Sequence, residues 1–247
     1  MQEDPGKAQG EYCGKVKASL TEHLKELRRR LISVLSVFAI AAILSYPISP
    51  SLLSRAKADL LGDLDLVVLG PQEALMIYVK VSVLLGFAFT MPVLTYHVWA
   101  FISPGLLKKE KEFIAYLVLP SALLFASGLL FGYYALLPVA LKFLIASAQP
   151  LATPMLSLDH TFTFIVSILL ALGVIFQLPL VTAALARLGL LDSRALSRYR
   201  RHSIVVILLV SAMVTDPSVV TQLLLAVPMI ILYEVGIFTS KLAGGNG

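Results

Sequence analysis

Charge is scarce in this sequence: Asp, Glu, Lys and Arg make up 14% of its 247 residues, against 58% apolar residues and a mean hydropathy of +0.86. A soluble domain of this size cannot cover its surface with so few polar groups, so the composition excludes one and leaves a multi-spanning membrane protein. Cysteine is nearly absent. The single Cys13, in a polar N-terminal stretch, excludes a disulfide framework and a cysteine metal site. Histidine is rare as well, and His23, His97, His160 and His202 all fall at or outside the ends of apolar runs. The serine-protease-like Phe125-Ala-Ser-Gly128 therefore has no base for Ser127 at membrane depth, and an enzyme is not expected. No internal repeat and no mid-span acid is present, which disfavours an ion-coupled secondary transporter. That class stays as the alternative, because six spans and proline kinks alone permit it.

What the sequence has in abundance is long apolar runs. About 20 residues of helix cover a hydrocarbon core of about 30 Å, and six apolar runs are counted as spans, not all of full length: 31–46, 74–101, 113–137, 162–186, 204–214 and 219–240. Together, 19–240 read as one all-α membrane domain of six kinked helices, flanked by flexible tails at 1–18 and 241–247. Lys25 to Arg30 followed by an apolar run resembles a signal peptide, but the run is too long and Arg55 and Lys57 spoil the cleavage site, so the first helix is read as retained. Ser19-Leu-Thr-Glu22 reads as a capping box, and Leu20, Leu24, Leu27 and Leu31 form one apolar stripe. Pro47 and Pro50 end the first span, and a polar, partly helical excursion fills 51–72. Lys80 lies near the start of the second span, as a snorkelling side chain or half of a structural ion pair. Pro92, Pro120, Pro179 and Pro228 are expected to kink their spans. Ser121, Ala122, Ala126, Ser127 and Gly128 supply small residues for close helix contact in the third. Pro138 is expected to open a second excursion reaching Thr161. The run Ile204 to Val214 is too short to cross a bilayer unaided, and polar Gln222 and Glu234 with Pro228 interrupt the last run, so spans five and six read as a hairpin of two short helices.

Between the second and third spans, Trp99-Ala-Phe-Ile-Ser-Pro-Gly-Leu-Leu-Lys-Lys-Glu-Lys-Glu-Phe113 forms a polar break, with Pro104 and Gly105 stopping a helix ahead of a charged cluster. Lys and Arg number seven before the first span, three in this break, five in 187–203 and one at the C-terminus, against three in the two alternate-side excursions. The positive-inside rule then puts both termini and the break on the cytoplasmic side of a cell membrane.

Several motifs in order resemble those of the TatC family, the large polytopic subunits of the twin-arginine protein translocase. They are His23-Leu-Lys-Glu-Leu-Arg-Arg-Arg-Leu31, Pro71-Gln-Glu-Ala-Leu-Met-Ile-Tyr-Val-Lys80, the stretch from Trp99 to Glu110, Phe131-Gly-Tyr-Tyr134 with Pro138, Phe176-Gln-Leu-Pro-Leu-Val181, Arg200-Arg201, and Gln222 to Glu234. The resemblance spans 19–240. It implies a concave receptor that binds the Arg-Arg signal peptide of folded cargo at its cytoplasmic face, works with the single-span subunits TatA and TatB, and draws on the proton-motive force. It implies no cofactor, no metal and no nucleic acid, with the bilayer and other copies of the chain as further partners.

Residue by residue, the resemblance implies signal-peptide binding by Glu26 and Arg28 of the Glu-Leu-Arg motif and by Glu110 after the Pro-Gly-Leu turn. Pro92, Pro104, Gly105, Leu106, Phe131, Pro138 and Pro179 are implied as motif positions of structural weight. Carboxylates suit the task, since each guanidinium presents a planar fork that a carboxylate accepts two bonds from. The segments read as cytoplasmic carry eight acids against 16 Lys and Arg, so the bulk field repels a basic peptide and recognition falls to local carboxylates. On its own residues, Glu26 also reads as a surface ion pair with Arg29 or Arg30 at helical spacing, and Glu110 as a charge solvated among lysines. Gln177, Gln222 and Glu234 are polar groups in apolar surroundings, either glue between helices or docking points for partner helices. The chain departs from the family at Gln177, where an acid is more usual and where an amide can only hydrogen-bond. It departs again at Asp216-Pro217-Ser218, which stands in place of Pro-Pro-Asp, and at Lys111, where Arg is common.

Overall fold

A computed structural model describes the backbone of residues 5–62, 64–102, 108–148, 155–187, 189, 193–214 and 218–243. Among the described residues ten α-helices follow one another: α1 Pro5–Ser45, α2 Ser49–Leu61, α3 Glu73–Ile102, α4 Lys108–Phe131, α5 Leu137–Ala148, α6 Leu158–Ile175, α7 Leu178–Arg187, α8 Ser193–Arg198, α9 Arg200–Val214 and α10 Val219–Ala243. Among the described residues five stretches are long and apolar enough to cross a membrane: Leu24–Leu61, Glu73–Phe101, Leu117–Ser147, Leu158–Arg187 and Val219–Leu242. At 15 residues, α9 is about 22 Å long and falls short of the hydrocarbon core, as its sequence predicts.

Local chemistry explains where the elements agree with the sequence and where they differ. The first span stops at Ser45, where Pro47 opens a 3-10 turn over Tyr46–Ile48 and Pro50 stands in the first turn of α2. At the other end α1 starts at Pro5, so the Ser19–Glu22 box lies inside a helix and not at its start. Pro138 does not open the second excursion. A π-turn over Gly132–Leu136 precedes it, with the Leu137 N–H bonded to the Gly132 carbonyl, and the wider turn gives the proline ring room so that α5 runs on to Ala148. Among the four interior prolines, only Pro179 coincides with a break, between α6 and α7; Pro92, Pro120 and Pro228 sit inside continuous helices. The sixth span is consequently not short, since α10 holds 25 residues.

The core is set by close approaches. Ser121, Phe125 and Gly128 of α4 and Gly132 of the π-turn are buried along one stripe. A Cβ on Gly128 would stand 2.8 Å from the Leu172 carbonyl oxygen of α6, and one on Gly173 would stand 2.6 Å from the Phe125 ring. Ala126 and Ser127 are exposed, so of the small residues on α4 only some serve this contact. Leu172, Leu225 and Leu137 are fully buried where α6, α10 and α5 bring them into the main cluster. At the end of the bundle opposite the termini, the two excursions meet in a parallel ladder pairing Leu66 with Leu156 and Val67 with Ser157. This ladder of β1 Leu66–Val67 and β2 Leu156–Ser157 is the one addition to an all-α fold among the described residues.

Candidate functional site

The antiparallel packing of α1 on α3 fixes the level of Glu26. Ring contacts join Tyr46 to Tyr78 at 6.3 Å and Phe38 to Phe87 at 6.5 Å, and Gly86 leaves room for Ala42 between them. Counting twelve residues back from Phe38 reaches Glu26, and twelve on from Phe87 reaches Trp99, each a rise of about 18 Å. Glu26 thus stands level with the last turns of α3, one short connection before α4. Glu110 is the third residue of that helix, so both acids belong to the end of the bundle that carries the termini. The side chain of Glu110 and all of Pro104, Gly105 and Leu106 lie outside the described residues.

Glu26 is engaged within its own helix. Its Oε1 accepts hydrogen bonds from Arg30 Nε at 3.0 Å and Arg30 Nη2 at 2.5 Å, and about a third of the carboxylate side chain stays exposed (38%). The surface ion pair that the spacing allowed is formed, with Arg30 and not Arg29 as its bonded partner. Arg28 is exposed. Beneath this level Trp99, Leu117 and Ala184 are buried together, with Leu180 and Leu185 packed against them, so α3, α4 and α7 are clamped just under the α3–α4 connection. The lone tryptophan was legible in the sequence only as part of a motif; its role as a wedge depends on α7, which arrives from far along the chain.

The polar residues singled out within the apolar runs, Gln177, Gln222 and Glu234, each find a partner. Gln177, in the joint between α6 and α7, donates from Nε2 to the Ser121 carbonyl of α4 at 3.0 Å. Gln222 donates to the Leu208 carbonyl at 3.0 Å and closes the α9–α10 hairpin. Glu234 accepts from Arg200 at 2.7 Å, again joining α9 and α10. Each has the geometry of interhelical glue. Pro179 is buried, and its carbonyl accepts from Thr239 of α10 at 3.1 Å. Phe131 lies 5.8 Å from Phe176, ring to ring, and Pro138 is half-buried behind the π-turn. At the opposite end, Lys80 donates to Asp159 Oδ1 and to Thr163 Oγ1, both at 2.6 Å, so the structure selects the ion pair for it. Asp159→Asn should therefore destabilise the α3–α6 contact by about 0.6 kcal/mol, the average for polar contacts between membrane helices, since both groups are a third exposed. A double-mutant cycle with Lys80→Met, read by unfolding in detergent mixtures, checks it. Among the described residues no three of His, Cys, Asp and Glu stand together as a metal ion would require.

Fold and polar pattern define a polytopic helical membrane protein whose charged side chains gather at the helix ends and in which Gln177, Thr182 and Gln222 bond from one helix to another. Residues 22–228 match the model of the family described as Sec-independent protein translocase protein (TatC). The chain is 38% identical over 229 residues to that protein from Aquifex aeolicus, covering 91% of this chain and 95% of the relative. It is 34% identical to the one from Desulforapulum autotrophicum, covering 92% and 86%. A crystal structure of the twin arginine translocase receptor TatC superposes with a TM-score of 0.81 at 37% identity, covering 90% of this chain and all of that one. The chain belongs to the TatC family of protein translocase components and has its six-span helical membrane fold.

Proposed function

We propose that this protein is the signal receptor of a twin-arginine translocase, in a cell membrane with both termini cytoplasmic, and that Glu26 and Glu110 hold the two arginines of the signal peptide. The observation that carries this reading is the level of Glu26: the α1–α3 register sets it level with the last turns of α3, at the end of the bundle where α4 begins with Glu110 two residues in. An incoming guanidinium would displace Arg30 from the Glu26 carboxylate, which stays paired throughout, while Arg30 is released to water at the surface. Arg28, exposed on the same turn, would repel misplaced cations and help set the peptide's register. The family membership motivates assembly with TatA and TatB and the use of the proton-motive force; Gln177, Gln222 and Glu234 are tied up between helices of this chain, and a partner helix would have to compete with those bonds.

The test is binding of an Arg-Arg signal peptide and its Lys-Lys counterpart to the protein in nanodiscs. Strong preference for Arg-Arg is expected, since lysine offers a point charge and no planar fork. Equal affinity would overturn the assignment. The short α9 carries a second expected result: a bilayer beside it must thin or the helix must sink. Inserting one apolar turn between Ile204 and Val214 should then cut export of a folded reporter severalfold while leaving peptide binding intact, and full export would remove the thinning from the mechanism.

A further inference from the structure

At the end opposite the termini, a slot of about 360 Å³ opens between α2, α3, α4 and α6. Its mouth carries Arg55, Asp59 and Tyr133, and its walls below are apolar, Leu85 and Val166 among them. Along α6 the lining runs from Phe162 to Leu169, a depth of about 10 Å. We propose that this slot binds one chain of an anionic phospholipid, with the lipid phosphate on the Arg55 guanidinium.

Three observations select that occupant. The first is the wall. Over the roughly 10 Å along α6 the lining is Phe162, Ile165, Val166 and Leu169, apolar side chains alone, as a hydrocarbon chain requires. The second is charge. Arg55 is exposed and makes no ion pair among the described residues, while Asp59, one turn on, is turned to Tyr133, whose hydroxyl donates to Asp59 Oδ2 at 2.6 Å. The cation is thereby left to face a ligand, and a guanidinium matches a phosphate's oxygens two at a time. The third is depth. Because α2 follows the first span directly, Arg55 lies at the level of the headgroups, and Tyr133 with the exposed Tyr134 forms an aromatic rim at the same level, above walls that lead into hydrocarbon. Polar mouth and apolar shaft stand in the order of a lipid's own head and tail. Tyr133 stands in the π-turn, and its hydroxyl ties that turn to α2 through Asp59.

The full-length protein is purified in a mild detergent, mixed with phosphatidylglycerol or phosphatidylcholine, and analysed by native mass spectrometry. One phosphatidylglycerol is expected to survive activation that strips the remaining lipid, with at least a fivefold preference over phosphatidylcholine. Arg55→Gln should abolish the preference and keep some lipid; Val166→Trp, which fills the shaft, should lose both. Leu130→Trp at the exposed rim gives a second blocking variant should Val166→Trp fail to elute as the folded protein. Loss of all lipid from the unaltered protein at that activation, or equal retention by unaltered protein and variants, would overturn the proposal. So would crosslinking of an added Arg-Arg peptide, in place of lipid, from a photoreactive group at Val166.

Discussion

Glu110→Ala is expected to weaken binding of an Arg-Arg signal peptide about tenfold or more, because a hydrogen bond to a charged group contributes about 1.5–3 kcal/mol and each 1.4 kcal/mol is tenfold in affinity. Glu26→Ala should weaken it less. Glu26 already accepts two bonds from Arg30, so the peptide gains only the difference between two guanidinium partners. The same exchange yields an opposite-sign result elsewhere: Arg30→Gln removes the competitor and should tighten binding severalfold, unless Arg30 itself contacts the peptide. Titration of a labelled signal peptide into nanodiscs holding each variant measures all three. Unchanged affinity in Glu110→Ala and Glu26→Ala together would remove both acids from the site. The effects should shrink only modestly with added salt, since specificity here is expected from close contacts under a repulsive bulk field.

The second large effect concerns packing. Gly128→Leu should abolish accumulation of the folded protein, because the first added carbon would already lie 2.8 Å from the Leu172 carbonyl oxygen and 3.0 Å from the Gly173 Cα, both backbone atoms that cannot swing aside. Overpacking of ordinary side chains costs about 1–3 kcal/mol; parting two backbones, with Gln177 bonded across the same helix pair at Ser121, should exceed it. Gly132→Ala is the milder comparison, since its added carbon meets only the ends of the Leu169 and Leu172 side chains. Detergent-resistant folded protein on size exclusion, compared among these variants, checks the order, and equal yields of Gly128→Leu and the parent would refute it.

Much of the architecture was legible beforehand for a simple reason: a bilayer punishes unsatisfied backbone, so span length and apolarity leave little choice of structure. The short α9 and the stop at Pro47 follow from counting residues and from the missing proline N–H. Proline read in isolation misled at Pro138, where a π-turn supplied the room, and at Pro228, where α10 continues regardless. The candidate site was legible in part. Motif order singled out Glu26 and Glu110, and helical spacing named Arg30 as a possible partner, but the wedge of Trp99 had no local signal.

Sequence alone thus determined which segments enter the membrane, which ends they share and which acids to propose for a basic ligand, because these depend on local composition and on counting along the chain. Tertiary structure alone decided the pairings: Lys80 with Asp159, Gln177 with the Ser121 carbonyl, Gly128 against Leu172, and Tyr133 with Asp59. Each joins residues more than forty positions apart. In an apolar medium a polar group accepts whichever partner packing brings within reach, and the sequence specifies that partner only through the fold.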